Sequence, residues 1–526
     1  MLQTSIFNDV IGPVMRGPSS SHCAAALRIG RLARDLMDQD ITDVLVEFDR
    51  AGSLPTTHES HGSDMGLCGG LLGWDATDDR LPDSPRWLRE VGVALAFAVV
   101  DVHDAHPNTY RLKLRNGHDE RSLVAVSTGG GMVEIVSIDR FPVTIVGDYF
   151  ETLLFGDDAD GLAERLADHV RDATVLVHRL PGRALVEVRG RDFVDEGILA
   201  KLRARWPRVV VRRLSPVLPV RSRPGLEVPF ETCAELLQCD AGRQIPLWKW
   251  AATYEMARGD LSEADVLERM AEIVRLLRRS IAQGIEGTQY DDRVLGHQSG
   301  AFKRCMEEGR LVRAGALNRT VLYTTALMEV KSAMGLIVAA PTAGACAALP
   351  AACLAVAEEL ALSEEDSARA LLAAGLIGVF IANRWTFAAE VGGCQAEGGS
   401  AAAMAAAALV TLHDGTLSQA LAASSLALQS MLGLICDPVA NRVEVPCLGK
   451  NVLAATNAIS CANMALAGFD PVIPLDEVID AARRVGSQLP RELRCTALGG
   501  LATTPTSLRL ERKLRAARRA PAAGPL

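Results

Sequence analysis

Paired cysteines are missing from the stretch where cysteine matters most. Cys394, Cys436 and Cys447 stand 42 and 11 residues apart and form no CxxC pair, which excludes the zinc-finger and ferredoxin spacings. Aromatic residues are scarce at 4%, while alanine and glycine are abundant, a mix suited to closely packed helices. There is no basic excess: the net charge of −9 argues against nucleic acid as a partner. The first nine residues, Met1–Asp9, lack the basic and apolar regions of a leader. The longest apolar runs, Ala368–Ala382 and Ser400–Leu412, are short for a membrane span and read as buried core helices. The twelve cysteines are therefore expected as thiols or metal ligands in a reducing cytoplasm, not as disulfides.

A chain of 526 residues is expected to divide into two to four domains. Residues 1–150 mix strands such as Val44–Phe48 and Val143–Val146 with a helix over Ala24–Met37, an N-terminal α/β (α+β) domain. Residues 151–226 suggest a small β-α-β-like module. Its strands fall at Thr174–His178, Ala184–Val188 and Val209–Arg213, its helix at Asp195–Arg205, and its linker at Arg221–Gly225. From 227 to 508 helical periodicity dominates and gives a mostly all-α domain. Its clearest element is the amphipathic stretch Ala264–Gln283. The basic tail 509–526 is expected to fray.

Several polar motifs interrupt this pattern. Gly17-Pro18-Ser19-Ser20-Ser21-His22 precedes the first helix, where serines serve as caps and free N–H groups favour an anion. His61-Gly62-Ser63-Asp64 offers an imidazole that titrates near neutrality, a candidate base or an ordinary loop histidine. Ser127-Thr128-Gly129-Gly130-Gly131 follows an apolar run and can form either an anion-holding nest or a tight turn. Each of the three cysteines sits in a Gly- or Pro-marked break: Gly393-Cys394-Gln395-Ala396-Glu397, Ile435-Cys436-Asp437-Pro438 and Val445-Pro446-Cys447. A lone cysteine is usually a small buried hydrophobe. Three thiolates on a cubane iron–sulfur cluster, however, leave one iron open as a Lewis acid.

Together these motifs resemble the iron–sulfur-dependent L-serine dehydratases. Gly-Cys-Gln-Ala-Glu, Cys-Asp-Pro-Val-Ala and Glu-Val-Pro-Cys match the family's three cluster-ligand motifs in order and spacing. The resemblance covers about residues 1–150 and 227–508, with beta-type and alpha-type regions in one chain. It implies a [4Fe-4S] cluster on Cys394, Cys436 and Cys447, carried by the C-terminal domain, with no pyridoxal phosphate. His61 or His22 would act as base. Ser19, Ser20, Ser21, Thr57, Ser63, Ser127, Gly129, Gly130, Gly131 and Thr342 would hold the substrate. A small amino or hydroxy acid substrate and a homodimer are further implications, as is a comparison of residues 151–226 with ACT modules.

Two departures bear on function. Asn383-Arg384-Trp385-Thr386-Phe387 replaces a segment of small hydroxyl residues, so Asn383 and Arg384 are candidates for binding a second carboxylate. Cys495 stands where relatives carry Glu and is a possible fourth cluster ligand. Three functions are therefore weighed: an L-serine dehydratase, a same-fold dehydratase of another hydroxy acid such as a hydroxymethyl dicarboxylate, and a non-enzymatic iron–sulfur sensor.

Overall fold

The computed structural model describes residues 3–170 and 172–519. Helices make up about half of it, and the chain is a multidomain mixed α/β protein with a helical C-terminal region. The N-terminal region is built on a six-stranded sheet. Its strands are β2 (Asp43–Asp49), β3 (Ala94–Val100), β4 (Thr109–Arg115), β5 (Glu120–Gly129), β6 (Met132–Ile138) and β7 (Phe141–Ile145). Their order is β3-β2-β4-β5-β6-β7, and only the β2–β3 pair is parallel. Alternation in β2 sends Val44, Val46 and Phe48 into the core beneath helix Ala25–Leu36. That helix crosses Ser63–Leu71 backbone against backbone. A Cβ on Gly70 would lie 2.1 Å from Leu27 O, and one on Gly66 would lie 2.0 Å from Cys23 O. Only glycine permits this approach, and it brings the two motif histidines to the same place.

The middle module is larger than the β-α-β unit expected. Strands β8 (Phe150–Gly156), β9 (Ala173–Leu180), β10 (Arg183–Gly190) and β11 (Val210–Leu214) form an antiparallel sheet in the order β11-β8-β10-β9. Helices Ala159–Ala167 and Glu196–Arg205 complete a β-α-β-β-α-β arrangement with its own core of Leu154, Leu162, Leu166, Val186 and Leu199. Asp158 and Asp195 cap the two helices.

The helical region begins at Cys233. Helix Glu263–Glu286 opens on a Ser262/Asp265 capping box and buries Val266, Met270, Ile273 and Leu277, as its pattern predicts. The two apolar runs become helices Glu364–Arg384 and Ser400–Leu412, both buried on nearly every side. Among the described residues no helix is long and apolar enough to cross a membrane. The N-terminus joins this region. The short strand β1 (Val14–Met15) pairs with β12 (Ile337–Val338), and the turn Ile6–Val10 lies on helix Glu364–Arg384. A Cβ on Gly375 would meet Ile6 at 2.5 Å, and one on Gly378 would meet Val10 at 2.1 Å. The basic tail departs from expectation, because helix Pro505–Arg519 runs through it; residues 520–526 lie outside the described residues.

Candidate active site

The stretch Ser20–Ala24 is a wide helical turn that leads into Ala25–Leu36 and puts His22 in a fully buried position. Thr57 Oγ1 donates its proton to Ser53 O at 2.8 Å, so His22 donates from Nε2 to Thr57 Oγ1 at 2.9 Å. Nδ1 is then the acceptor, 3.1 Å from Ser19 Oγ and 3.5 Å from Glu390 Oε1. Burial, with His61 and His58 nearby, holds the His22 pKa well below its usual value, so the ring is neutral. Burial, with Glu397 adding to it, raises the Glu390 carboxyl to about 7.

His61 packs edge-on to His22, with ring centroids 4.7 Å apart. It is fully buried beside the Asn441 side chain, and among the described residues neither ring nitrogen has a hydrogen-bond partner of good geometry. Burial and the Arg442 guanidinium lower its pKa to about 3. Glu390 Oε2, Asn108 Nδ2 and Asn441 Oδ1 are likewise buried without partners. Ser53 Oγ donates to Asn108 Oδ1 and so fixes which end of that amide is free. Buried polar atoms are nearly always satisfied, so several orphans beside the two histidines make this the candidate site for a small polar ligand.

The serine and glycine candidates form the walls. Ser20 Oγ accepts from Ala343 N at 3.1 Å, Ser127 Oγ donates to Ser21 O at 2.7 Å, and Ser63 Oγ lies 2.8 Å from Tyr110 Oη. Gly129, Gly130 and Gly131 turn from β5 into β6 at φ of 111°, 62° and 93°, a run that side chains rarely tolerate. The turn abuts Ala388 and Pro341, and Gly131 O accepts from Arg28 Nη1 at 2.7 Å. Thr342 Oγ1 donates to the Glu397 carboxylate, which turns toward the cysteines.

The sulfur side is assembled from four segments. Cys394 precedes the turn into Ser400–Leu412, and Cys447 begins helix Cys447–Leu466. Cys436 bridges in parallel to Arg494, and Cys495 follows directly. The side chains of Cys394, Cys436 and Cys495 pack together with Ala389, and Cys447 lies within electrostatic reach of Cys394. Ligand atoms of Cys394, Glu397 and Cys436 lie within 4.8 Å of one another. All four thiols are free and buried. Burial raises Cys447 to about 12; in Cys495 the Cys436 thiol lowers the pKa, but burial together with Glu390, Glu397 and Cys394 raises it to about 12. The Lys450 ammonium stands 3.7 Å from Cys394 Sγ and is held by Ile435 O and Asp437 Oδ1, both at 2.6 Å.

Asn383 and Arg384 are not part of this group. Asn383 bonds Thr4 Oγ1 and Glu231 O, and the Arg384 guanidinium is committed to Asp480 at 2.5 Å. Their neighbour Thr386 does reach the site wall, donating to Thr128 O at 2.9 Å. Asn108, Glu390, Glu397, Asn441 and the fully buried Lys331, which donates to Val443 O, were not anticipated as site residues. Only Glu390 and Glu397 carried a signal, since both flank Cys394 within four residues.

Residues 242–502 match the sequence profile of the serine dehydratase alpha chain. A probable L-serine dehydratase alpha chain of Bacillus subtilis is 38% identical over 285 residues, 54% of this chain and 95% of the relative. A probable beta chain from the same organism is 33% identical over 217 residues, 40% of this chain and 97% of the relative. The L-serine dehydratase of Streptomyces coelicolor is 28% identical over 501 residues, 92% of this chain and 96% of the relative. With both regions accounted for in one polypeptide, the chain belongs to the L-serine dehydratase family as an enzyme in which the beta-type and alpha-type regions are fused.

Proposed function

We propose that this chain converts L-serine to pyruvate and ammonia, with a [4Fe-4S] cluster held by Cys394, Cys436 and Cys447. The donor set suits such a cluster: the free, buried thiols of Cys394 and Cys436 pack together, buried Cys447 begins the helix that carries Lys450, and the Lys450 ammonium offsets thiolate charge. When bound, the cluster supplies a Lewis acid for the departing hydroxyl.

The chain's own residues do the rest. His61 is neutral and unpartnered, so one ring nitrogen is free to take the Cα proton of serine. The backbone N–H groups at Ser20–His22 and the Gly129–Gly131 turn would orient the carboxylate. His22 is fixed by Ser19 and Thr57 and keeps the His61 ring in place. Loss of the Cα proton and of the hydroxyl leaves an enamine, which tautomerises to an imine and is hydrolysed by water to pyruvate and ammonia. The observation that carries this reading is the buried, orphaned His61 packed on His22, whose Nδ1 lies 3.5 Å from Glu390 in the segment that leads to Cys394.

The changed segment 383–389 motivates the alternative of a dicarboxylate substrate; within it the Arg384 guanidinium is bound to Asp480, which speaks against its pairing with a second carboxylate. The same reading makes the chain a cytoplasmic homodimer, to be tested by light scattering. The decisive experiment reconstitutes the protein anaerobically with iron and sulfide and measures pyruvate from L-serine. Cluster-loaded protein that turns over another hydroxy acid but not serine would sink the substrate assignment. Cluster-loaded protein inert to every hydroxy acid would favour the sensor.

A further inference from the structure

We infer that Arg442 supplies the full positive charge that receives the substrate's carboxylate beside His61, and that Asp292 is the carboxylate it releases in exchange. This inference rests on the serine reading above and adds to it a residue that decides which acids enter.

His61 is fully buried, so a substrate needs a way in. A cavity of about 890 Å³ reaches the back of its wall. His61 and the Asn441 side chain lie together on the inner side. Gly62 and Arg442, the next residue along the chain in each case, line the cavity. Arg442 is 6% exposed. Its Nη2 donates to Asp292 Oδ1 at 2.7 Å, and among the described residues its buried Nε has no partner. A guanidinium matches a carboxylate through two parallel N–H bonds, so a single bond to Asp292 leaves part of the fork unused. The same charge lowers the His61 pKa, which places it within electrostatic reach of the base. A buried cation next to a histidine suits a site that takes an anion and keeps its base neutral.

The backbone fixes where Arg442 stands. Ala440 and Asn441 have φ of 53° and 52°, left-handed values that are unfavourable for residues with a Cβ. Ala440 N donates to Ser507 Oγ at 2.7 Å, and Asn441 Nδ2 donates to Thr56 O at 2.6 Å. Strain of this kind persists where the surroundings over-determine it, and here two distant segments pin the turn. The charged lining of the cavity is mostly acidic: Glu59, Asp64, Asp83, Asp292 and Glu444 outnumber Arg89 and Arg442. That surplus attracts the ammonium end of an amino acid and repels a second carboxylate, while Arg442 takes the first. Exchange of Asp292 for substrate breaks and forms hydrogen bonds only.

The test uses full-length, cluster-loaded protein and measures pyruvate formation from L-serine. Wild type is compared with R442Q, R442K and D292N. The expected result is a KM raised at least about tenfold in R442Q, with kcat within about threefold, and a smaller rise in R442K, which keeps the charge. D292N removes the competing carboxylate and lowers KM by about threefold. An unchanged KM in R442Q overturns the proposal. A KM raised in both R442Q and D292N also overturns it, because a pair that serves structure alone fails from either side. A wild type that takes up its cluster yet makes no pyruvate overturns the underlying reading instead. Thermal melts within about 2 °C of wild type show that the variants fold, and R442K carries the test if R442Q melts lower.

Discussion

Replacing His61 by leucine should stabilise the apo protein and abolish turnover. The ring is buried with both nitrogens unpartnered. Each buried orphan costs about 1–3 kcal/mol, and leucine is close in volume and carries no polar atom, so the gain near neutral pH is about 1–4 kcal/mol after some repacking loss. A second contribution depends on pH. The ring's pKa is about 3 in the folded protein, against about 6.5 in an unfolded chain. Between those values the unfolded chain binds more protons, so wild-type stability falls as pH drops through about 6.5 and continues to fall toward 3. At about pH 5 this loss is about 2 kcal/mol, and H61L escapes it. Unfolding entropy of about 2 cal/mol/K per residue gives about 1 °C per kcal/mol for a cooperative unit of this length. Calorimetric melts of apo wild type and H61L at about pH 8 and about pH 5 should therefore show H61L higher by about 1–4 °C, with the gap widening by about 2 °C in acid. Pyruvate formation by the loaded variant should fall by at least about a hundredfold. A variant that melts lower than wild type at both pH values, or keeps a tenth of the activity, would refute the reasoning.

Gly66→Ala should lower both stability and activity although it removes no reactive group. The new Cβ would sit 2.0 Å from Cys23 O, which must move away with His22 beside it. An overpacking cost of about 1–3 kcal/mol and a loss of pyruvate formation of about tenfold or more are expected; unchanged kinetics would count against the backbone crossing as the positioning device. Arg384→Gln should leave KM for serine within about twofold, because the guanidinium is bound to Asp480, and a surface pair of this kind contributes about 1 kcal/mol or less. A large rise in KM would return Arg384 to the substrate pocket. Ser363→Ala removes the capping box at the start of helix Glu364–Arg384 and should cost about 1 kcal/mol, read as an earlier urea midpoint; no change would mean that packing alone fixes that helix end.

Local signals carried well where a single element decided the outcome. The period of Val266, Met270, Ile273 and Leu277 foretold a long amphipathic helix, and alternation in Val44–Phe48 foretold a strand. The middle module was half read. Helix Ala159–Ala167 is short and followed by acidic residues, and strand β8 falls across the boundary drawn at residue 151. In the candidate site, the motifs mark segments that the fold brings together, but they do not identify each residue's partner. Ser63, Ser127 and Ser20 are committed to Tyr110, Ser21 and Ala343, pairings separated by 47 to 323 residues that no local pattern encodes. The partner of Arg384, Asp480, is equally illegible, since it lies 96 residues away on another helix.

The pairing of β1 with β12 has a consequence for how the molecule is made. Residues 5–15 dock on elements that emerge from the ribosome much later: Ser5 on Glu255, Ile6 on Gly375, Val14 on Val338. At synthesis rates of about 5–20 residues per second the gap between Val14 and its partner strand is roughly 15–65 s. The apolar residues of this segment must therefore wait, unpaired, until most of the helical region exists. Once they dock, the start of the beta-type region is interleaved with the alpha-type core, and the join is knitted by packing as well as by the covalent linker. Cleavage of that linker would accordingly leave the two halves associated.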